Sequence, residues 1–270
     1  MFGKYLIALC FCAALGTTAS AHEFWIEPEE YQVETGEAVV ANLRNGELFD
    51  GSRQSFFPRN NTRLDFALGD ELAPVEGRLG DRPAIQVPAP LQDGLMVLLH
   101  EAAPSTLTYR SWEKFLKFVD HKDFADAVAT HEARGWAKED FKETYTRHSK
   151  SLVAVGDGEG ADRAFGLATE FVAQDNPYAV DFDGTMDVTL FYGDVVRGDA
   201  QVEVYEKDAQ GEVSVTVLRT DAGGALAVPV KSGHSYLLDA VVLREAAGAT
   251  SATDGPLWET LWAALTFAVP

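Results

Sequence analysis

Short apolar segments separated by glycine, proline and aspartate turns run through most of this 270-residue sequence. Such spacing is typical of strands in all-β sandwiches and leaves little room for long helices. In the first half the pattern predicts strands at 38–43, 63–68, 84–87 and 94–100. In the second half it predicts strands at 168–173, 186–192, 201–205, 213–218, 225–230, 236–243 and 260–269. The sequence therefore predicts a mainly β protein.

One stretch breaks this pattern, between residues 111 and 153. Its apolar residues Trp112, Phe115 and Leu116 recur at helical spacing. A second helix is predicted over 123–134, where Gly135 can end it, and a third over 138–152. We therefore expect a helical insertion at about 111–153 in an otherwise β chain.

These segments indicate three regions of the chain. Residues 1–21 form a signal peptide, 22–180 a β-sandwich domain that carries the helical insertion, and 181–270 a smaller immunoglobulin-like β-sandwich. The expected fold class is mainly β, with two immunoglobulin-like β-sandwich domains and a helical insertion in or after the first.

The signal peptide prediction depends on the first 21 residues. Lys4 precedes an apolar run over 5–15, and Ala19 and Ala21 frame a cleavage site of the A-x-A type. Cleavage after Ala21 would export the protein to a bacterial periplasm and make His22 its first residue. A free α-amino group, with a pKa of about 8, would then stand beside an imidazole with a pKa of about 6.5. Together they form a bidentate ligand that loses few protons when it binds a divalent metal.

Charge and cysteine content exclude several functions. The formal net charge is −20, which repels nucleic acid and anionic membrane surfaces. Both cysteines, Cys10 and Cys12, lie in the predicted leader, so the mature chain has no disulfide and no thiolate ligand. Beyond the leader no apolar run approaches the roughly 18 residues of a membrane helix.

Histidines decide whether a metal site is possible. His22, His100, His121 and His131 are the predicted metal ligands, with Glu23 or Glu101 as acidic neighbours. His100 ends a strand, and His121 and His131 lie on the second predicted helix; a buried, hydrogen-bonded core histidine is the competing interpretation of His131. The two other histidines are interpreted as a packing residue, at 148, and as part of a hairpin, at 234.

Motifs of several enzyme and ion-binding classes are missing. Neither His-Glu pair has a second histidine four residues after the first, and no G-x-S-x-G elbow or phosphate-binding glycine loop occurs. The acidic stretches at 157–162 and 181–184 lack the full spacing of a calcium loop, since Tyr192 replaces the twelfth-position glutamate. We interpret both stretches as turns.

Several motifs resemble a known family. The chain has Ala-His-x-x-Trp at the predicted mature start, E-T-Y-T-R-H-S-K-S-L-V-A-V-G at 143–156, T-D-A-G-G at 220–224 and W-E-T-L-W-A-A-L-T-F at 258–267. In these it resembles a periplasmic family of unknown function linked to nickel and cobalt uptake. The resemblance implies a two-domain β protein that handles a transition metal, with a second domain similar to carboxypeptidase regulatory modules. Within this resemblance, His22 matches the family's N-terminal motif, and His100 and His131 match histidine-bearing stretches of the family.

Three hypotheses follow. The first is a periplasmic metal-binding protein that buffers or delivers Ni²⁺, Co²⁺ or Cu²⁺ for an uptake transporter in the membrane. The second is an oxidative enzyme that holds copper between an N-terminal histidine and another histidine. The third is an envelope module that binds another protein or a glycan through exposed aromatic residues, of which Trp25, Trp112, Trp136 and Tyr178 are the candidates.

Overall fold

A computed structural model describes residues 22–250 and 255–270. The predicted signal peptide, 1–21, lies outside the described residues. Strands make up 51% of these described residues and helices 9%, which confirms the mainly β class.

Each of the eleven predicted strands and the first two predicted helices has a counterpart in the structure. Six further strands, over 23–28, 32–33, 50–54, 71–74, 105–109 and 195–196, were not predicted. The front sheet comprises β1 (Glu23–Pro28), β3 (Val39–Glu47), β4 (Asp50–Gln54) and β7 (Ile85–Val87). The central sheet comprises β2 (Gln32–Val33), β5 (Asn61–Leu68), β6 (Glu71–Pro74), β8 (Gly94–Ala102), β9 (Ser105–Tyr109), β10 (Phe141–Val155), β14 (Gln201–Lys207), β15 (Val213–Arg219), β17 (Ser235–Glu245) and β18 (Pro256–Ala268). The back sheet comprises β11 (Thr169–Ala173), β12 (Thr185–Tyr192), β13 (Val195–Val196) and β16 (Ala225–Pro229). The helices are α1 (Trp112–His121) and α2 (Ala125–Ala133), and a 3₁₀ turn covers Pro58–Asn60.

The central sheet has the order β15-β14-β17-β18-β10-β8-β5-β6, and β2 and β9 also pair with β10. It therefore contains strands from both predicted domains, which meet where β10 pairs in parallel with β18. The division into domains at residue 180 stays a prediction.

The front and back sheets cover opposite faces of the central sheet. Along β8, Met96 and Leu98 pack with the front sheet, whereas Leu95, Val97 and Leu99 pack with the back sheet. A strand points successive side chains to opposite faces, so a strand buried on both sides reads as a continuous apolar run.

The helical insertion is shorter than predicted. The first two helices are confirmed, but the third, predicted over 138–152, is wrong because β10 occupies 141–155 as a 15-residue strand. Apolar residues in this segment fit both the helical spacing of three to four residues and the strand spacing of two. The β-branched residues Thr144 and Thr146 favour a strand. Pairing with β18, β8 and β9 decides the outcome, since it satisfies the backbone on both sides of the segment.

The two helices and the front sheet lie on the same face of the central sheet. On β17, Leu237 packs with Trp25 and Phe49 of the front sheet, whereas Val241 packs with aromatic residues around α1. Asp239 lies between these two positions on the same side of the strand and is only 2% exposed. A buried carboxylate therefore marks the boundary between the front sheet and the helices.

Candidate functional site

The first predicted ligand, His22, is exposed immediately before β1. Glu23 pairs with Gly46 of β3, and this antiparallel register brings the preceding residue, His22, beside Glu47 at the end of β3. The His22 Nε2 atom lies 3.3 Å from Glu47 Oε1, and the two side chains are 57% and 38% exposed. Arg147 of β10 donates a hydrogen bond of 2.9 Å to the His22 carbonyl oxygen. The backbone of His22 is thus held while its ring faces solvent and a carboxylate.

A tight turn after Glu47 fixes the position of that carboxylate. Leu48 and Phe49 connect β3 to β4 with φ values of 53° and 54°. Two central residues with positive φ form the hairpin turn that usually contains asparagine and glycine. Phe49 is 1% exposed and packs edge-on against Trp25 at 5.6 Å, whereas Leu48 is 61% exposed. Burial of Phe49 offsets the unfavourable backbone conformation and holds Glu47 next to His22.

Beneath His22 lies a group of buried ionisable residues, which we call the buried charge cluster. It consists of Glu23, Lys122, Glu203, Tyr205 and Asp239, contributed by β1, the residue after α1, β14 and β17. The Lys122 Nζ atom donates to Glu203 Oε2 at 2.9 Å and to Asp239 Oδ2 at 3.0 Å. One ammonium group therefore bridges two buried carboxylates.

The environment shifts the pKa values of these acids in different directions. Burial raises the pKa of Glu23 to about 7, and the nearby charge of Asp239 acts in the same sense. Burial also raises the pKa of Asp239 above its usual range. For Glu203 burial acts upward, but a hydrogen bond from His121 and the charge of Lys122 outweigh it and lower the pKa to about 2. Near neutral pH the positive charge of Lys122 therefore compensates mainly the charges of Glu203 and Asp239. The carboxyl group of Glu23 is then close to the midpoint of its titration.

Lys122 lies at the centre of this cluster. Burial opposes the charge of Lys122, yet the two carboxylates outweigh that effect and its pKa is raised. The ammonium also lies 4.9 Å from the ring centroid of Trp262. Among residues 22–250 and 255–270, no group of three or more His, Cys, Asp or Glu side chains has an arrangement that could hold a metal ion. Glu23 brings the start of β1, next to His22, into this cluster.

His121 is the second predicted ligand with an exposed ring. Its side chain is 59% exposed, and Nε2 lies 2.9 Å from Glu203 Oε1. The hydrogen bond to Glu203 raises the pKa of His121, and Glu23 contributes in the same direction. His121 thus covers the buried charge cluster from the solvent side and shares its surroundings with the first residue of β1.

The other two predicted ligands are buried. His100 is 1% exposed; its Nε2 atom lies 2.8 Å from Asn61 Oδ1, its ring stacks on Phe24 at 5.1 Å, and burial lowers its pKa to about 3. His131 is fully buried, accepts a hydrogen bond of 3.0 Å from Trp258 Nε1 and donates one of 2.9 Å to the Ala137 carbonyl. Both ring nitrogens of His131 are therefore occupied, as in a core histidine.

Several residues without a predicted metal role match their interpretation. His148 is 2% exposed and bonds to the Trp262 carbonyl at 3.0 Å, which confirms its packing role. Asp157 and Asp183 accept hydrogen bonds from backbone N–H groups two residues later, as in turns. Trp25 is completely buried and Trp136 is 6% exposed, so neither lies on a binding surface of this fold.

The sequence did not indicate the partners of His22 and His121. Glu203 alternates with Val202 and Val204, a pattern that predicts a solvent-facing side chain, yet it is 2% exposed. Its partner Lys122 is 81 residues away in the sequence. No local signal identified Glu47, because the central residues of the adjacent turn are Leu48 and Phe49, whereas the turn-forming pairs Asn45-Gly46 and Asp50-Gly51 lie in the strands on either side.

The fold and the site define a mainly β protein in which an exposed histidine stands on a strand anchored by buried charges. The chain belongs to a family described as a domain of unknown function (DUF4198), whose sequence profile matches residues 19–244. No curated protein matches the chain. No helix in the described part of the chain is long and apolar enough to cross a membrane.

Solved structures similar to the chain include three adhesin fragments. A tetra-tandem repeat from the extending region of a large adhesion protein is 12% identical with a TM-score of 0.22, covering 91% of this chain and 49% of that one. The Yersinia pseudotuberculosis adhesin InvE is 11% identical with a TM-score of 0.21, covering 91% and 58%. The D0-D1 domain of Intimin is 9% identical with a TM-score of 0.23, covering 90% and 97%. The chain thus spans about half the length of the first of these structures.

Proposed function

We propose that the mature protein binds Ni²⁺, Co²⁺ or Cu²⁺ in the periplasm through the α-amino group and imidazole of His22, as an accessory to a metal-uptake transporter. One observation carries the proposal: His22 is exposed at the start of β1, with Nε2 3.3 Å from the carboxylate of Glu47. This arrangement leaves Nδ1 as the ring nitrogen for a chelate with the amino group that cleavage after Ala21 would release.

The donor set suits these metals. Amine and imidazole nitrogens favour nickel, cobalt and copper over magnesium and calcium. A histidine ligand usually donates its second ring N–H to a carboxylate, which fixes the tautomer and orients the ring. Glu47 stands where such a carboxylate would act on His22.

The surroundings restrict the motion of this ligand pair. Arg147 holds the His22 carbonyl at 2.9 Å, and Glu23, the next residue, is buried in the charge cluster. A ligand supported in this way loses less conformational entropy on binding than one on a free terminus. His121 has the other exposed ring among the four predicted ligands, and its substitution below tests it as a further ligand.

Isothermal titration of Ni²⁺ and Cu²⁺ into tagless mature protein tests the proposal. We expect His22→Ala to abolish the high-affinity site and Glu47→Gln to weaken it by about 10–100-fold. His234→Ala is the matched control and should leave metal binding unchanged. His234 also lies beside a glutamate, with Nδ1 2.8 Å from Glu206 Oε1, but it is far in sequence from the N-terminal amino group. An unchanged stoichiometry and affinity in His22→Ala would refute the proposal, and His121→Ala shows whether the second histidine is a ligand.

A further inference from the structure

Strand β15 forms one edge of the central sheet, and we propose that it pairs with β15 of a second copy of this chain to form an antiparallel, twofold-symmetric dimer. In the described residues β15 pairs with β14 along its whole length and ends the sheet order. Four consecutive residues, 214–217, are exposed, among them Val215 at 41% and Val217 at 58%.

The hydrogen-bond pattern identifies the backbone groups that face outward. In an antiparallel pair, hydrogen-bonded and non-hydrogen-bonded residue pairs alternate. Asp208 N–H bonds to the Glu212 carbonyl, and Thr220 N–H to the Ala200 carbonyl, so the even-numbered residues of β15 bond to β14. The N–H and C=O groups of Val213, Val215 and Val217 therefore point away from β14, toward the open edge.

Other edges of this protein carry features that prevent strand pairing. The edge strand β6 is four residues long and contains Glu71 and Pro74; β16 ends in Pro229; β4 contains Asp50 and Arg53. Proline, charge and short length are the usual protections of an exposed edge. Apart from Arg219 at its end, β15 contains no charged residue and no proline, and its seven residues make it longer than β4, β6 and β16.

The sequence of β15 favours a second copy as the partner, because residues 213–217 are self-complementary about Val215. A chain with a net charge of −20 repels itself over most of its surface, and β15 offers an uncharged strip for close approach. With the twofold axis at Val215, Val213 of one copy lies opposite Val217 of the other, and Val215 opposite Val215. Ser214 then lies opposite Thr216 of the second copy. Each outward valine exchanges its backbone hydrogen bonds with a valine, and such β-branched pairs stabilise antiparallel sheets.

Sedimentation equilibrium of tagless mature protein over a range of concentrations tests the dimer. We expect a reversible monomer–dimer equilibrium in the wild type. Val215→Lys places two ammonium groups opposite each other and should leave only monomer. Val215→Pro removes an N–H that faces away from β14, so the fold is retained and the dimer is lost. Val195→Lys, at a valine 67% exposed on β13, is the matched control and should dimerise as the wild type does.

Cysteine cross-linking tests the register. The mature chain has no cysteine of its own, because Cys10 and Cys12 both precede Ala21. Residues opposite each other across an antiparallel pair have Cα atoms about 5.5 Å apart, within the range of a disulfide. Mild oxidation should therefore link Val215→Cys chains to each other rapidly and Val195→Cys chains no faster than random collision. A wild type that is monomeric at every concentration, a Val215→Lys variant that still dimerises, or equal cross-linking of both cysteine variants would overturn the proposal.

Discussion

Replacing Lys122 with methionine should destabilise the protein strongly. Methionine keeps most of the side chain's apolar stem but removes the ammonium group that lies 2.9 Å from Glu203 and 3.0 Å from Asp239. The Lys122 side chain is 4% exposed and those of its two partners are 2% and 1% exposed, so water cannot replace the lost charge without rearrangement of the packing.

The magnitude follows from the burial of the two carboxylates. Removing one member of a buried ion pair costs about 3–5 kcal/mol, because the remaining charge stays buried without compensation. In a chain of this size 1 kcal/mol corresponds to about 2–4 °C in Tm, so we expect a decrease of roughly 6–20 °C. The loss should be smaller at about pH 5 than at about pH 8. Lys122 lowers the pKa of both carboxylates, so its removal leaves burial to raise these pKa values and the carboxylates take up protons more readily in acid.

Urea unfolding followed by tryptophan fluorescence measures this loss, with Trp262 beside the cluster as an internal reporter. Lys117→Met is the control, since Lys117 pairs with Glu113 at 2.8 Å on the exposed side of α1, where solvent screens the pair and its loss should change stability little. A loss below about 1 kcal/mol for Lys122→Met, or equal losses in the two variants, would show that the buried charge cluster does not anchor the fold.

Further predictions concern Glu23, the β3–β4 turn and His131. Because burial raises the pKa of Glu23 from 4.5 to about 7, its stabilising effect is complete below about pH 4.5 and is lost as the pH rises through 7. As the pH rises from about 4.5 to about 7, the unfolding free energy of Glu23→Gln should therefore increase relative to that of the wild type by up to about 3 kcal/mol. Parallel pH profiles of the two proteins would contradict this prediction. Leu48→Gly removes a positive-φ leucine that is mostly exposed and should raise the unfolding free energy by about 1 kcal/mol in a thermal melt, whereas the control Leu79→Gly should lower it. His131→Ala should cost about 2–4 kcal/mol but leave the metal stoichiometry of the folded protein unchanged in titration, and a lost metal site would make His131 a ligand.

Sequence patterns predicted most of the fold because the spacing of apolar residues reflects whether a segment prefers to form a strand or a helix. Alternating and continuous apolar segments marked the long strands, and helical spacing marked α1 and α2. The segment 141–155 carries apolar residues at both spacings, so its conformation depended on strands β8 and β18, which lie far from it in sequence.

The site was less predictable because its contacts are long-range. The signal-peptide pattern predicted His22 as the first residue of the mature chain, but nothing local shows that Lys122 reaches Asp239, 117 residues later. Glu203 follows the alternation of an exposed position and is buried only because α1 covers that part of the sheet with Lys122 and His121. Burial by another element is a tertiary effect that a single strand's pattern does not contain.

The most direct test of the metal-binding proposal compares two tagless proteins that differ only at the α-amino group of His22. One begins at His22 with a free amino group, and the other carries an Nα-acetyl group on His22, which keeps the imidazole and Glu47 but turns the amino group into an amide without adding a new amine. We predict high-affinity Cu²⁺ and Ni²⁺ binding, with one metal per chain, in the first protein and its loss in the second. Equal affinity and stoichiometry in the two proteins would contradict the proposal that the amino group of His22 is a metal ligand.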